Sequence, residues 1–243
     1  MSFLRNDPCN TSMMKQINMI FTADDFGISQ KADDRILKLA EAGVLDRVAV
    51  MTRGTATKEA LSRLARSGVK IDLHAELRDD IDPNRTLKAG ALGRIVVFMK
   101  SFLFGENRVS LVEQRWDMQV RDFHTLFGKY PDGLNSHEHT HFFPLYFGMF
   151  LRIAKKYNIS FVRFGRESFS GNTAVSTILN VLRFVERRAF SQSGLASSDA
   201  LVSFDWIGSF DMLDTYPKDK TIEILFHPER DEEMEFLEQN FLL

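Results

Sequence analysis

Short apolar runs alternate with helix-patterned stretches along most of this chain, and that alternation constrains its fold more than any other feature, because it is the signature of βα units around a parallel sheet. Ile17 to Phe21 reads as a buried strand, followed by a helix over Lys31 to Ala42 with Ile36, Leu37, Leu39 and Ala40 on one face and Gly43 as its stop. Val48 to Met51 predicts a second strand, and Thr57 caps a helix that carries Ala60, Leu61, Leu64 and Ala65 and ends before Gly68. Val69 to Leu77 alternates as a third strand. Ser110 and Glu113 stand in capping-box spacing at the head of a helix that runs to Phe127 and stops at Gly128. Pro144 suits the first turn of a helix to Tyr157 with Asn158 as C-cap, and Ile159 to Phe164 predicts a strand. Ala174 to Phe190 reads as helix, Leu201 to Trp206 and Thr221 to Phe226 as strands, and the acidic tail from Asp231 as a short helix.

No Pro-, Gly- or Ser-rich break separates these units. The expected fold is therefore α/β, a single-domain distorted (β/α) barrel with mostly parallel strands over residues 19–243, behind an N-terminal extension of residues 1–18. The irregular segment 78–109 is the exception, with a polar start and a short apolar helix expected over Ala91 to Phe104. A loop of that length commonly has a task, here a lid or the contact of a homodimer.

Composition narrows the partners. Thirty-one basic against 33 acidic residues give a net charge of −2, which offers no field for a phosphate backbone, so nucleic acid is not expected. Arg5 and Asp7 interrupt the N-terminus before an apolar run develops, and Lys100 breaks the most apolar window, Ile95 to Phe104, which is shorter than the ~20 residues a spanning helix needs. Membrane insertion is not expected. Cys9 is the only cysteine, which leaves no intramolecular disulfide, and a cytoplasmic location is the simplest expectation.

Chemistry in such folds gathers where strands end. Asp24 and Asp25 follow the first strand in TADDFGIS; on an extended backbone they point apart, so one can ligate a metal while the other faces another part of the site, unless one merely caps the following helix. His74 lies in IDLHAEL with Asp72 and Glu76 on its own face of the alternation, and reads as ligand, base or hydrogen-bonded core residue. His137, His139 and His141 recur at a spacing of two in NSHEHTHFFP. That spacing implies an extended or loop conformation, and fully extended it would set His137 ~13 Å from His141 at ~3.3 Å per residue. One or at most two of them can then bind a single ion, while the others line the cleft. His227 ends the last strand run before Pro228, and His124 reads as scaffold within its helix. Phe26, Phe142, Phe143 and Trp206 could each offer a face to a sugar, although core packing is the ordinary role of any one of 22 phenylalanines.

Together TADDFGIS, IDLHAEL, NSHEHTHFFP, YNISFVRFGRES and ILFHPER resemble the YdjC-like family of carbohydrate deacetylases, from about Met19 to Arg230. The resemblance implies that Asp25, His74 and His137 bind one divalent cation per chain. Asp24 is implied as the general base and His227 as the acid or oxyanion partner; apart from the resemblance, His139 and His141, as the other members of the triplet, and Phe26, beside the first motif, are expected to line the substrate site. The resemblance implies removal of an N-acetyl group from a small saccharide, a chitooligosaccharide or an envelope glycan precursor. Aspartate and imidazole suit Zn2+, Mn2+, Co2+ or Ni2+, and the resemblance admits Mg2+. The same constellation would also serve a hydrolase of a non-sugar amide or ester, or persist in a non-catalytic sugar-binding protein. Four positions differ from the usual family pattern: Thr22 stands for Asn, Asp72 for a small residue, Asn135 for Asp and Glu229 for Gly. With Asn at 135, a carboxylate that could orient a metal-bound histidine is expected to be missing.

Overall fold

A computed structural model describes residues 18–77, 108–170, 174–207 and 216–242. The chain runs β1 (Asn18–Phe26), α1 (Gln30–Glu41), β2 (Arg47–Val50), α2 (Lys58–Arg66), β3 (Lys70–Ala75), α3 (Val109–Phe127), β4 (Gly133–Ser136), a 3-10 segment (His137–Phe142), α4 (Pro144–Lys156), β5 (Phe161–Val162), β6 (Ser168–Ser170), α5 (Ala174–Ser193), β7 (Ala200–Ser203), α6 (Phe204–Ile207), β8 (Thr221–Phe226) and α7 (Asp231–Phe241). The strands lie in the order β5-β4-β3-β2-β1-β8-β7-β6, and every pair is parallel.

The sheet closes. β5 and β6 are two stretches of one run of chain, of which the first pairs with β4 and the second with β7. The segment leading into β7 also bonds to this run, through Val162 N–H to the Ala196 carbonyl (2.9 Å), Ala196 N–H to the Ser160 carbonyl (2.8 Å) and Arg166 N–H to the Ser198 carbonyl (3.0 Å). The result is the distorted (β/α) barrel expected from the alternation, with the β5/β6 run as one stave.

Most helix ends form where the sequence marks them. Ser29 accepts from Ala32 N–H and Thr57 from Ala60 N–H, while Gly43 and Gly128 take left-handed conformations that release the chain from α1 and α3. The start of α3 differs from expectation. Arg108 is the N-cap, its carbonyl accepts from Leu111 and Val112, and Ser110 is already helical, because Val109 packs against the core. The strand expected over Leu201 to Trp206 ends at Ser203 and turns into α6. Asn18, expected in the extension, opens β1, while residues 1–17 and the apolar helix expected at 91–104 lie outside the described residues. No helix among the described residues is long and apolar enough to cross a membrane.

The two faces of the barrel carry opposite chemistry. Phe21, Ala23, Val48, Val50, Ile71, Leu73, Leu134, Val162, Ile222 and Ile224 alternate outward into one apolar core with the helices. Most of the residues between them are polar and buried, and several are bonded to one another across the lumen. Arg163, just past β5, donates Nε to Glu223 of β8 (3.0 Å) and both terminal nitrogens to Asp24 of β1 (2.7 and 2.8 Å), strands that are not its neighbours. Arg47 of β2 binds Asp72 through two hydrogen bonds and lies 4.0 Å above the Phe161 ring. Gly133 leaves room for this pair, since a Cβ there would fall 2.5 Å from Arg47 Nη2 and 2.7 Å from Asp72 Oδ1.

Around the first strand end the packing is backbone on backbone. Gly27 takes φ +103°, its carbonyl accepts Thr55 N–H at 2.6 Å, and a Cβ on Gly54 would stand 2.3 Å from that carbonyl oxygen. Neither atom belongs to a flexible side chain, so one segment has to move. Gly54→Ala is therefore expected to cost about 1–3 kcal/mol of unfolding free energy in a urea titration; an unchanged midpoint would show that the two turns are not in register-fixing contact.

Candidate metal centre

Three strand ends converge at the carboxyl mouth of the barrel. β1 carries a bulge there: Ala23 pairs with Val48 and Phe26 with Val50, so Asp24 and Asp25 together face the single residue Ala49. Asp25 sits at φ 66°, a left-handed conformation uncommon outside glycine, asparagine and aspartate. This kink brings both carboxylates into the site, where an extended chain would send them to opposite faces. Asp24 meets Arg163, and Asp25 meets the histidines.

The histidine triplet is neither extended nor regularly helical. Glu138 and His139 both take positive φ (52° and 55°), and the Ser136 hydroxyl anchors the turn by accepting His141 N–H (2.9 Å) and the Thr140 hydroxyl (3.2 Å). His137 consequently faces the cluster alone. His141 turns inward, fully buried, with Nδ1 2.6 Å from the Ser136 hydroxyl and Nε2 2.9 Å from the Arg163 carbonyl. With both ring nitrogens occupied, His141 belongs to the scaffold and not to the cleft as expected. Phe26 is likewise corrected: it is fully buried in the apolar core and has no face to offer a sugar. Phe142 is in the same position. His139 lies near Arg163, Asp24, His74 and His227, and burial together with the Arg163 charge holds its imidazole down to about 3, so it is neutral.

Asp25 Oδ1 lies 2.9 Å from His137 Nδ1 and 3.1 Å from His74 Nε2, and the two nitrogens are 3.3 Å apart. Ligand atoms at the corners of a tetrahedron with bonds of ~2.0–2.1 Å are separated by about 3.3 Å, so the cluster fits a small divalent cation and leaves a fourth position for another ligand. Among the described residues this is the group whose donors could hold a metal ion. The electrostatics agree. Burial opposes charge on His137, yet the Asp25 carboxylate raises it to about 9, and burial of Asp25 is outweighed by His137 and His74, which hold it well below the ordinary carboxylate value. The site attracts positive charge.

His74 is oriented from behind. Its Nδ1 is hydrogen-bonded to the Asn135 amide oxygen, which directs Nε2 toward Asp25 and His137. The orienting acceptor expected to be lost with Asn at 135 is thus present as an amide. The other departures also have partners: Thr22 donates to Glu223 (3.1 Å), Asp72 pairs with Arg47, and Glu229 accepts from Ser29 (3.1 Å).

Arg163 and Glu233 were not singled out as site residues from the sequence. Burial would raise the Asp24 pKa, but the Arg163 charge overrides it and holds the group at about 2. Glu233 of α7 accepts His227 N–H at 2.7 Å and brings a carboxylate oxygen within 3.7 Å of His227 Nδ1, so the imidazole is raised above its ordinary value against the effect of burial. Glu76, one residue past β3, is 6% exposed, and burial pushes it up to about 7. For Arg163 a signal did exist: a charge flanked by apolar residues in a strand, as in FVRF, has to face something polar.

Comparison with known proteins places this geometry in context. A family model described as YdjC-like protein matches residues 18–241. A mouse protein named carbohydrate deacetylase is 26% identical over 209 residues, covering 79% of this chain and 67% of its own length. A human protein of the same name is 27% identical, covering 79% and 65%. A chitooligosaccharide deacetylase of Salmonella paratyphi B is 31% identical over 149 residues, or 58% of this chain and 57% of the relative. The chain thus spans about two thirds or less of the length of these relatives. A crystal structure from Enterococcus faecalis V583, described as a candidate cellobiose-phosphate cleavage protein, shares the fold with a TM-score of 0.59 at 18% identity, over 87% of this chain and 81% of that one.

The geometry predicts about one divalent cation per chain by elemental analysis after dialysis against Zn2+ or Mn2+. His137→Ala, which removes one of three donors, is expected to weaken that binding at least 100-fold; equal metal content in the variant would exclude this cluster as the site.

Proposed function

The chain belongs to the YdjC-like protein family, and from that premise we propose that it is a metal-dependent hydrolase that removes N-acetyl groups from a small saccharide, a chitooligosaccharide or an envelope glycan precursor. The observation that carries the reading is the pairing of a three-donor cluster with an arginine-tethered carboxylate, Asp24, on the adjoining residue. Relatives named carbohydrate or chitooligosaccharide deacetylases support the substrate class.

A divalent cation held by Asp25, His74 and His137 supplies a positive centre that polarises an acyl carbonyl and makes water more acidic. Asp24 is then the proton acceptor. It is ionised at neutral pH, and although each of its oxygens receives a hydrogen bond from Arg163, each keeps a further lone pair for the attacking water. Arg163 prevents the carboxylate from turning away. His227, raised above its ordinary pKa beside Glu233, is the proton donor to the departing amine. Water adds to the acetyl carbon, the C–N bond breaks, acetate leaves with the water oxygen, and the sugar nitrogen takes a proton. His139, held neutral near Asp24, is a hydrogen-bonding partner for the saccharide.

Acetate release from N-acetylated chitooligosaccharides by the metal-loaded protein tests this reading. Asp24→Asn is expected to lower kcat by about 10²–10⁴-fold, the range for removal of a positioned proton acceptor, with metal content unchanged. Equal turnover in the loaded variant would remove Asp24 from the mechanism. Acetate release confined to non-sugar amides or esters would reassign the substrate.

A further inference from the structure

Behind the proton donor of the function above stands a buried carboxylate of another element, Glu233 in the first turn of α7. Ala23 of β1 pairs with Phe226 of β8, so the residues that follow, Asp24 and His227, end adjacent strands side by side at the carboxyl mouth. The ring of His227 is divided between two surroundings. Its side chain is 20% exposed, yet Nδ1 is buried and has no hydrogen-bond partner among the described residues. The open part of the ring is therefore the Nε2 side. Glu233, 3% exposed, lies against the closed side, with Oε1 3.7 Å from Nδ1.

That carboxylate has little freedom. Oε2 accepts the backbone N–H of His227 at 2.7 Å, and Oε1 accepts Arg230 Nη1 at 2.8 Å. The same arginine nitrogen donates to Asp205 at the head of α6 (2.9 Å). Glu233 is thus pinned to the main chain of the residue whose ring it faces, and a small rotation of that ring brings Nδ1 within reach of Oε1. Hydrogen bonds of this kind are commonly long before substrate arrives and shorten in the loaded site. Leaving a buried ring N–H unpaired costs about 1–3 kcal/mol, which favours closure. A lock on the fold would need only the bond to the His227 N–H. It would not need a carboxylate oxygen facing an orphaned ring nitrogen.

We infer that Glu233 is the positioning residue of the proton donor: it holds His227 by Nδ1 and so presents Nε2 to the departing nitrogen. This deepens the proposed function and rests on it. As the C–N bond breaks, its electron pair stays on the sugar nitrogen, which takes the Nε2 proton, while the ring keeps its Nδ1 proton against Glu233. A carboxylate behind a histidine fixes the tautomer and direction of the ring. Its loss therefore harms proton donation and spares the metal donors and Asp24.

The test uses the full chain loaded with Zn2+ and two acetyl donors that differ in leaving group. One is an N-acetylated chitooligosaccharide, whose amine needs a proton, and the other an aryl acetate, whose phenolate leaves without one. Glu233→Ala is expected to lower kcat on the sugar about 10–100-fold, part of the 10²–10⁴-fold that a positioned acid contributes, with KM within about threefold and metal content unchanged. The loss on the ester should be about tenfold smaller. Glu233→Gln, which can still accept from both N–H groups, should recover most of the loss on the sugar. Nitrogen NMR of the loaded wild-type chain reads the same contact without turnover and without a variant: His227 should carry a slowly exchanging proton on Nδ1. No such proton, equal losses on the two substrates, or no loss on the sugar overturns the inference and leaves the proposed function standing. Absence of acetate release from any N-acetylated saccharide by the loaded wild type overturns the proposed function and this inference with it.

Discussion

Everything at the mouth of the barrel hangs on one buried cation in its lumen. Arg163 reaches across from the β5/β6 stave to Asp24 on β1 and Glu223 on β8, and its own carbonyl holds the ring of His141. The side chain thus fixes the first acidic strand end, and the backbone fixes the histidine turn. Charges buried in this way add little net stability, because desolvation consumes most of the Coulomb attraction, but removing one partner strands the others at a cost of about 3–5 kcal/mol. The arrangement is better understood as positional. A lumen filled with leucine and valine would pack as well, yet it could not hold a carboxylate ionised and in one orientation beside a metal cluster.

Backbone strain is concentrated at the same place. Of the four non-glycine residues with positive φ among the described residues, three are Asp25, Glu138 and His139. Such conformations persist where surrounding contacts over-determine them. Asp33 Oδ1 accepts Gly27 N–H at 2.6 Å behind the first turn, and the Ser136 hydroxyl gathers the second. Each turn is thereby locked by a short polar side chain, and the two donors it delivers, Asp25 and His137, come within 2.9 Å of each other from strands that are not adjacent.

Much of this was legible from residue pattern. The βα alternation, the stops at Gly43 and Gly128 and the strand-end position of Asp24, Asp25, His74 and His227 follow from periodicity and turn chemistry. The rotation of the histidine triplet did not, because a spacing of two is ambiguous once left-handed residues enter, and nothing in HEHTH marks Glu138 and His139 for that conformation. Phe26 and His141 lie in the interior for reasons the residue pattern does not carry: the bulge at Asp24 and Asp25 moves Phe26 from the lumen face to the core, and the turn through Glu138 and His139 points His141 inward. Charges inside apolar strand runs, Arg47, Asp72, Arg163 and Glu223, were the underused clue. At period two they mark the lumen face before any coordinates are seen.

The departures from the family pattern bear on the charge of the centre. An aspartate at 135 would set a negative charge directly behind His74 and raise its basicity as a ligand. Asparagine performs the orienting task through its amide oxygen and contributes no charge. The one carboxylate among the three donors is then Asp25, which meets the other ring nitrogen of His74. Direction and charge, which a single carboxylate behind the ring can supply together, are separated in this chain onto Asn135 and Asp25. The centre is thereby one negative charge poorer than it would be with aspartate at 135, while the ring of His74 keeps its direction.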